Sequence, residues 1–350
     1  MLLAVALSAG AQQATTPESG TTSAPAAAAT APRLAPTLQV EGDPVASPDP
    51  ENTTAIKRSG DGFVLQTEVD EVVLNATVLD GHHQVPDLKK EDFEVFEDGV
   101  RQTIRSFQHN DIPVSIALVI DNSGSMSAKR PAVNKAALDL IAASNPEDEA
   151  FVVNFSDEAY LDQDFTHDVA KLREGLSHIE AKGGTALRDA VIASADKLAA
   201  EARHSKQVIL LITDGEDNAS TQDRTQTIER VQRLSGPVIY TIGLLFGDEM
   251  SRSEVKNARE DLKILSDETG GMAFFPKSVE QIDQIAAEVA RDIRNQYTIG
   301  YHSSHPATDT AFRHIELQAH GKGTGKLTVR TRTGYFPAPP TVHSAQPTAR

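Results

Sequence analysis

The chain of 350 residues contains no cysteine and no long hydrophobic run. Without cysteine it cannot form disulfide bonds, a thiolate zinc site, a cysteine nucleophile or a lipid-modified cysteine. A helix that crosses a bilayer needs roughly 18 or more consecutive apolar residues, and the apolar runs of this chain fall well short of that length. The sequence therefore predicts no transmembrane segment.

Basic residues are also in short supply, because 33 Lys and Arg stand against 50 Asp and Glu, which gives a net charge of −17. Nucleic acids and anionic membranes are bound by clustered Lys and Arg. The charge balance therefore argues against both as partners. It is compatible with the binding of cations or basic partners, and also with a surface that serves only solubility.

The two ends of the chain differ in composition from its middle. Residues 2–7 are apolar and are followed by Ala-Gly-Ala at residues 9–11, a small-residue pattern that signal peptidases accept. Because the leader lacks a basic region, we predict that residues 1–11 end a signal peptide that begins upstream, and that the protein is secreted or periplasmic. Residues 12–61 and 337–350 lack apolar periodicity, and we predict a disordered linker and a disordered tail there.

Residues 112–295 alternate apolar runs with amphipathic helical patterns. Fully apolar runs are typical of strands that are buried on both faces of a parallel sheet. The predicted strands are 114–120, 150–155, 159–164, 208–213, 238–245 and 272–275, and the predicted helices are 131–143, 169–180, 186–204, 228–234, 261–269 and 279–295. This alternation favours an α/β fold with a doubly wound, mostly parallel, Rossmann-like sheet.

The segments on either side of this region show the period-two alternation of β-strands. Before it, we predict two strands between residues 69 and 78 and a hairpin around Asp98-Gly99. After it, three strands are predicted, of which the last two form a hairpin. The first hairpin consists of strands 93–96 and 103–107. The three strands of the second segment are 297–301, 313–319 and 326–333, and the loop of the second hairpin is 321–325.

Neither flanking segment has enough strands to close a core alone. We therefore predict one β-sandwich made from residues 62–111 and 296–336, with the α/β domain of residues 112–295 inserted between its halves. The alternative is that the flanking strands extend the central sheet.

Oxygen-bearing side chains follow two of the apolar strands. Asp121, Ser123 and Ser125 come after the first strand, Thr185 follows a pair of glycines, and Asp214 follows the strand at 208–213. Ligands of open α/β sheets bind at the carboxyl ends of the strands, so the five side chains converge if the two strands are neighbours. Hydroxyl and carboxylate oxygens are the ligands that Mg²⁺ prefers. The sequence therefore predicts a magnesium site formed by these five residues.

The five residues, in this order and in this strand and helix context, resemble the metal-ion-dependent adhesion site of von Willebrand factor A (vWA) domains. The resemblance covers roughly residues 112–295, and residues 92–99 and 332–336 resemble a secreted bacterial group of such proteins. It implies that the serines bind Mg²⁺, with Mn²⁺ or Ca²⁺ as alternative ions, and that Thr185 and the aspartates bind it directly or through water. It also implies that the open metal position takes an Asp or Glu carboxylate from a protein partner.

These observations together predict a divalent-metal-dependent protein-binding or adhesion module without enzymatic activity. One alternative is a structural or assembly module whose metal site is not essential. A second is a Mg²⁺-dependent hydrolase, although the sequence supplies no evident general base or leaving-group acid. Nothing in the sequence indicates an oligomeric state.

Overall fold

The computed structural model describes residues 39–40, 71–177, 183–234, 236–247, 250–306, 309–321 and 327–337. The predicted leader, most of the linker, nearly all of the C-terminal tail and most of the 321–325 loop lie outside these residues. The predicted end of the second helix, at residue 180, also lies outside them. None of the described helices is long and apolar enough to cross a membrane.

The described residues form strands and helices that alternate through the middle of the chain. The strands are β1 (Gln39–Val40), β2 (Glu71–Asp80), β3 (His83–Gln84), β4 (Phe93–Glu97), β5 (Val100–Gln102), β6 (Ile104–Gln108), β7 (Val114–Asp121), β8 (Glu149–Phe155), β9 (Ala159–Thr166), β10 (Lys206–Thr213), β11 (Val238–Gly243), β12 (Ala273–Phe274), β13 (Tyr297–His302), β14 (Arg313–Ala319), β15 (Thr328–Arg330) and β16 (Gly334–Tyr335). The α-helices are α1 (Arg130–Ala142), α2 (Val169–Ser177), α3 (Leu187–Glu201), α4 (Arg224–Arg233), α5 (Arg252–Thr269) and α6 (Ile282–Arg294).

The central sheet has seven strands in the order β1-β9-β8-β7-β10-β11-β12. Its middle strand, β7, is buried at every residue because helices cover both faces of the sheet. Ile116 and Leu118 of β7 belong to the hydrophobic core under α1, α2 and α6, whereas Ala117 and Val119 belong to the core under α3, α4 and α5. A strand that contributes alternate side chains to two cores is mostly apolar, as β7 is apart from Ser115 and its last residue, Asp121, which confirms the α/β prediction for this part of the chain.

One pair of neighbouring strands departs from the parallel arrangement. β9 runs antiparallel to β8, because the three residues between them are too few for a crossover connection. The other five neighbouring pairs are parallel, so the sheet is mixed with a single antiparallel pair. β1 adds to the edge of β9, and a part of the predicted linker therefore belongs to the central sheet.

Two helices begin earlier than the apolar pattern predicts. α4 begins at Arg224 and α5 at Arg252, whereas the predictions start at residues 228 and 261. Each helix is preceded by a capping box, in which Asp223 or Ser251 accepts a hydrogen bond from the backbone three residues later. The polar first turns are thus held by capping rather than by burial.

The strands before and after the α/β part form two further sheets. One has the order β15-β2-β13-β6 with β3 beside β2, and the other has the order β16-β14-β4-β5. Both sheets contribute to one hydrophobic cluster, which includes Leu74 and Tyr297 of the first sheet. Ile315, Leu317 and Ala319 of β14 contribute from the second sheet, as the period-two pattern predicts.

Several predicted pairings in this part are wrong. Residues 72–78 lie in the single strand β2. The predicted hairpin around Asp98-Gly99 is present, but its second strand is β5 rather than residues 103–107, and β6 pairs with β13 in the other sheet. β14 pairs with β4 and β16, and β15 pairs with β2, so β14 and β15 are not a hairpin. The alternative in which these strands extend the central sheet is also wrong, because they pair among themselves.

The reason for these errors is that period-two alternation reports which face of a strand is buried and not which strand lies beside it. The turn at Asp98 and Gly99 illustrates the missing information. Both residues have positive φ, of 49° and 78°, which is the geometry of a two-residue hairpin turn. The strand that pairs with β4 therefore begins directly after Gly99, at Val100.

Candidate metal centre

The carboxyl ends of β7 and β10 lie side by side at one edge of the central sheet. The two strands are parallel neighbours, with Ile120 opposite Ile212. Asp121 and Thr213 follow these residues, and Thr213 Oγ1 donates a 2.5 Å hydrogen bond to Asp121 Oδ2. The condition on which the predicted site depends, that these two strands are neighbours, is therefore met.

Asp121 is completely buried at this edge. Burial is the main cause that raises the pKa of its carboxyl, and the nearby Asp214 charge also raises it, while hydrogen bonds from Thr213 and Ser123 lower it. Asp121 Oδ1 accepts the Ser123 amide at 2.8 Å, which closes a tight turn after the strand. A buried carboxylate of this kind is stabilised by a nearby cation.

Ser123, Ser125 and Asp214 present three oxygens in a row. Ser123 Oγ lies 3.2 Å from Ser125 Oγ, and Ser125 Oγ donates to Asp214 Oδ1 at 2.8 Å. Mg²⁺ binds six oxygens in an octahedron at about 2.0–2.1 Å, so its neighbouring ligands are about 2.9 Å apart. The two distances and the hard oxygen chemistry therefore both fit adjacent ligands of a magnesium ion.

Thr185 reaches the same edge from the turn before α3. Gly183 has a φ of 89°, which favours glycine, and a Cβ there would collide with the Asp157 carboxylate. Asp157 Oδ1 accepts the Gly184 amide at 2.6 Å, and Asn218 Oδ1 accepts the Thr185 amide at 2.8 Å. The paired glycines thus allow two loop side chains to hold Thr185 in place.

The Thr185 hydroxyl lies beside Gly215, the residue after Asp214. A Cβ built on Gly215 would be 3.5 Å from Thr185 Oγ1. The structure therefore brings all five predicted residues to one edge of the sheet, four of them in one hydrogen-bonded row and Thr185 next to that row. Among the five, Ser125 is exposed and the others are buried, so a ligand would approach from the Ser125 side.

A buried arginine lies behind Asp121. Arg130, at the start of α1, directs Nη1 at the Asp121 carbonyl at 3.4 Å, and its Nη2 donates to Asn154 Oδ1 at 2.8 Å and to the Leu176 carbonyl at 3.1 Å. Burial lowers the pKa of Arg130 to about 10, while the Asp121 charge raises it. The guanidinium remains a fixed positive charge that offsets part of the buried negative charge of Asp121.

Sequence reasoning missed three residues that shape this edge. Thr213 was detectable, because it is the one polar residue that closes the apolar run 208–213 before Asp214. Asn218 resembles any other loop asparagine in the sequence. Nothing in the sequence around Lys129 indicates a role at this edge. Its Nζ nevertheless lies 2.5 Å from Asp214 Oδ2, because the turn after β7 brings the start of α1 over the end of β10.

The described part of the chain has an open α/β sheet with helices on both faces and oxygen-bearing side chains at its carboxyl edge, which is the edge where sheets of this kind bind ligands. Residues 116–216 match the family model described as the von Willebrand factor type A domain. All five residues of the candidate centre fall within that match. Residues 116–216 of this chain are therefore similar to a vWA domain.

One curated relative is the uncharacterized protein sll0103 of Synechocystis sp. (strain ATCC 27184 / PCC 6803 / Kazusa). It is 27% identical to this chain over 144 residues, which is 40% of this chain and 34% of the relative. The chain thus spans about a third of the length of that relative.

Solved structures to which this chain is similar include a protein described as von Willebrand factor type A from Catenulispora acidiphila. It is 13% identical with a TM-score of 0.45, and the match covers 77% of this chain and 75% of that one. The PilB minor pilin from Streptococcus sanguinis is also 13% identical, with a TM-score of 0.43 and coverage of 53% of this chain and 62% of the pilin.

Proposed function

We propose that this protein is a divalent-metal-dependent protein-binding module. The single observation that carries the proposal is the row of oxygens at Ser123, Ser125 and Asp214, whose distances of 3.2 and 2.8 Å fit neighbouring ligands of Mg²⁺. The vWA match to residues 116–216 supports it. The residues that would hold the ion are Asp121, Ser123, Ser125, Thr185 and Asp214.

A bound Mg²⁺ would supply a position for an anionic ligand. Asp121 and Asp214 supply two negative charges against the dication, and the three hydroxyls add none. Ser125 is the exposed member of the set, so the partner enters at its side. An Asp or Glu side chain of a protein partner fits this position, because a carboxylate is a hard oxygen ligand with the right charge.

We also propose that residues 62–111 and 296–336 form one β-sandwich into which residues 112–295 are inserted. This proposal is supported by the two sheets that mix strands from both segments. Leu74 of the first segment and Tyr297 of the second belong to the same buried cluster. The Tyr297 ring also lies 5.0 Å from the ring of Phe93.

Calorimetric titration with Mg²⁺ tests the metal site. We expect saturable binding by the wild-type protein, and a large loss of affinity in Ser125→Ala, because this change removes one ligand at an exposed position and leaves the core intact. Ser127→Ala is the matched control, since Ser127 is an exposed serine two residues further along. Equal affinities in the two variants would refute the assignment of Ser125.

A peptide array tests the partner chemistry. Peptides that contain Asp or Glu, paired with their Asn or Gln counterparts, are probed in Mg²⁺ and in EDTA. We expect binding only to the carboxylate peptides and only with metal. Binding that resists EDTA would instead favour an assembly module with a non-essential metal site. Turnover of a phosphate ester that is lost in Asp214→Asn would favour a hydrolase.

A further inference from the structure

Lys129 forms an ion pair with one of the proposed metal ligands. Its Nζ lies 2.5 Å from Asp214 Oδ2, and the exposed fraction of the Lys129 side chain is only 12%. The same Nζ lies 5.5 Å from the centre of the Phe246 ring, which covers it. The pair is therefore shielded from water, so salt and solvent screen it much less than they screen a surface pair.

The two oxygens of Asp214 have different partners. Oδ1 accepts the hydrogen bond from Ser125 and faces the row of proposed ligands, whereas Oδ2 contacts Lys129. The lysine thus leaves Oδ1 available to a metal ion while it adds one positive charge to the same carboxylate. It therefore adds positive charge beside the row of proposed ligands and contacts only the Asp214 oxygen that does not accept from Ser125.

We propose that Lys129 sets the charge of the metal site and thereby its ligand preference, an inference that rests on the proposed function. Because Lys129 offsets part of the negative charge of Asp214, the two carboxylates balance less of the charge of a dication in the site. The ammonium repels the dication and lowers its affinity. The net positive charge that remains attracts an anionic ligand more strongly than a neutral one. Lys129 thus lowers the affinity of the site for the metal ion and increases the preference of the bound ion for a carboxylate ligand.

Two arms of one experiment test this on the full chain. In the first, Mn²⁺ alone is titrated by calorimetry into the wild-type protein, Lys129→Met and Lys129→Arg. We expect Lys129→Met to bind Mn²⁺ about tenfold or more tightly, as removal of a poorly screened like charge implies, and Lys129→Arg to stay near the wild type.

Lys135→Met is the matched control for the first arm. Lys135 lies on α1, which begins directly after Lys129, but it is exposed and pairs with Asp139 and Asp283 away from the site. We expect it to leave the Mn²⁺ affinity unchanged. Lys129→Gln also removes the charge but keeps a polar end, so it serves as a second variant if Lys129→Met does not fold. Circular dichroism checks that both variants are folded.

In the second arm, acetate is titrated into the Mn²⁺-loaded proteins and the relaxation of water protons is measured. Acetate that displaces metal-bound water reduces the relaxation enhancement. We expect acetate to bind the wild type more tightly than Lys129→Met, because the variant lacks the extra positive charge. Equal acetate affinities would overturn the ligand-preference part of the proposal.

The outcomes separate this inference from the function on which it rests. If the wild type binds Mn²⁺ and both Lys129→Met and Lys129→Gln bind it equally or more weakly, Lys129 only positions Asp214 and the inference is wrong while the metal site stands. If no protein in the series binds Mn²⁺, the proposed function and the inference both fail. Tighter binding by the uncharged variants supports both.

Discussion

Tyr240 on β11 donates a 2.6 Å hydrogen bond to Asp292 Oδ2 on α6, with both side chains buried. The same carboxylate accepts Gln84 Nε2 at 2.7 Å and Thr77 Oγ1 at 3.2 Å, and it forms an ion pair with Arg330. One side chain thus joins the last helix of the α/β part to strands of the flanking sheets. The two parts are therefore coupled through a buried charge.

We predict that Asp292→Asn lowers the free energy of unfolding by about 3 kcal/mol or more, because loss of one partner leaves a buried charge on the other. Arg330 is that partner, and its side chain is only 15% exposed. Urea denaturation measures the loss. Arg330→Met in the same chain should restore part of the stability, and a double variant that is as unstable as the sum of the single changes would contradict this account.

Lys206 makes the free energy of unfolding depend on pH in the alkaline range. Its Nζ donates to the Ile293 carbonyl, and burial lowers its pKa from 10.5 to about 8, against the opposing charges of Asp292, Asp111 and Asp148. Between these two pH values the unfolded chain holds the proton and the folded chain does not. Unfolding therefore takes up a proton, so the contribution of this group to stability rises with pH through the window and is constant below it.

The change across that window is roughly 3 kcal/mol, since a tenfold change in an equilibrium constant is worth 1.36 kcal/mol and the pKa falls from 10.5 to about 8. Urea denaturation of the wild type and Lys206→Met at both ends of the window measures it. Other groups also titrate in this pH range, so the relevant quantity is the difference in the free energy of unfolding between the wild type and Lys206→Met. We expect the free energy of unfolding of the wild type to rise relative to that of Lys206→Met as pH rises, and a constant difference would show that Lys206 keeps its ordinary pKa.

The central strands were predictable because burial on both faces of a strand appears in the sequence as a continuous apolar run. Residues 116–120 of β7 are all apolar since the strand is buried on both faces, and Asp121 ends the strand at the carboxyl edge of the sheet. The contact between Lys129 and Asp214 was not predictable, because it depends on how the turn after β7 folds back over a strand 85 residues away in the chain. The partner strand of β4 was missed for a different reason, because the positive φ values of Asp98 and Gly99 make a turn of only two residues and the paired strand already begins at Val100.

The hydrogen bond from Thr213 to Asp121 should matter for stability. Thr213→Val keeps the shape of the side chain but leaves a buried carboxylate oxygen without its donor, which costs about 1–3 kcal/mol. Urea denaturation measures the change. Thr221→Val is the control, because Thr221 donates to Asp189 at 3.0 Å from an exposed position. Losses of equal size in both variants would refute a special role for the buried bond.

The turn before Thr185 should control metal affinity through backbone geometry. Gly183→Ala forces a side chain into a positive φ of 89° and against the Asp157 carboxylate. The displaced carboxylate can no longer hold the Gly184 amide, which it accepts at 2.6 Å. We therefore expect Gly183→Ala to lower both stability, by about 1 kcal/mol or more from strain, and Mg²⁺ affinity.

Gly99→Ala separates these two effects. Gly99 has a similar φ of 78°, but a Cβ there meets no atom within 4 Å, and the residue lies in the hairpin turn after β4. The variant therefore carries the backbone strain without disturbing Thr185. Denaturation should show that both variants are destabilised, while calorimetry should show weaker Mg²⁺ binding only in Gly183→Ala. Unchanged Mg²⁺ affinity in Gly183→Ala would mean that the position of Thr185 does not contribute to the site.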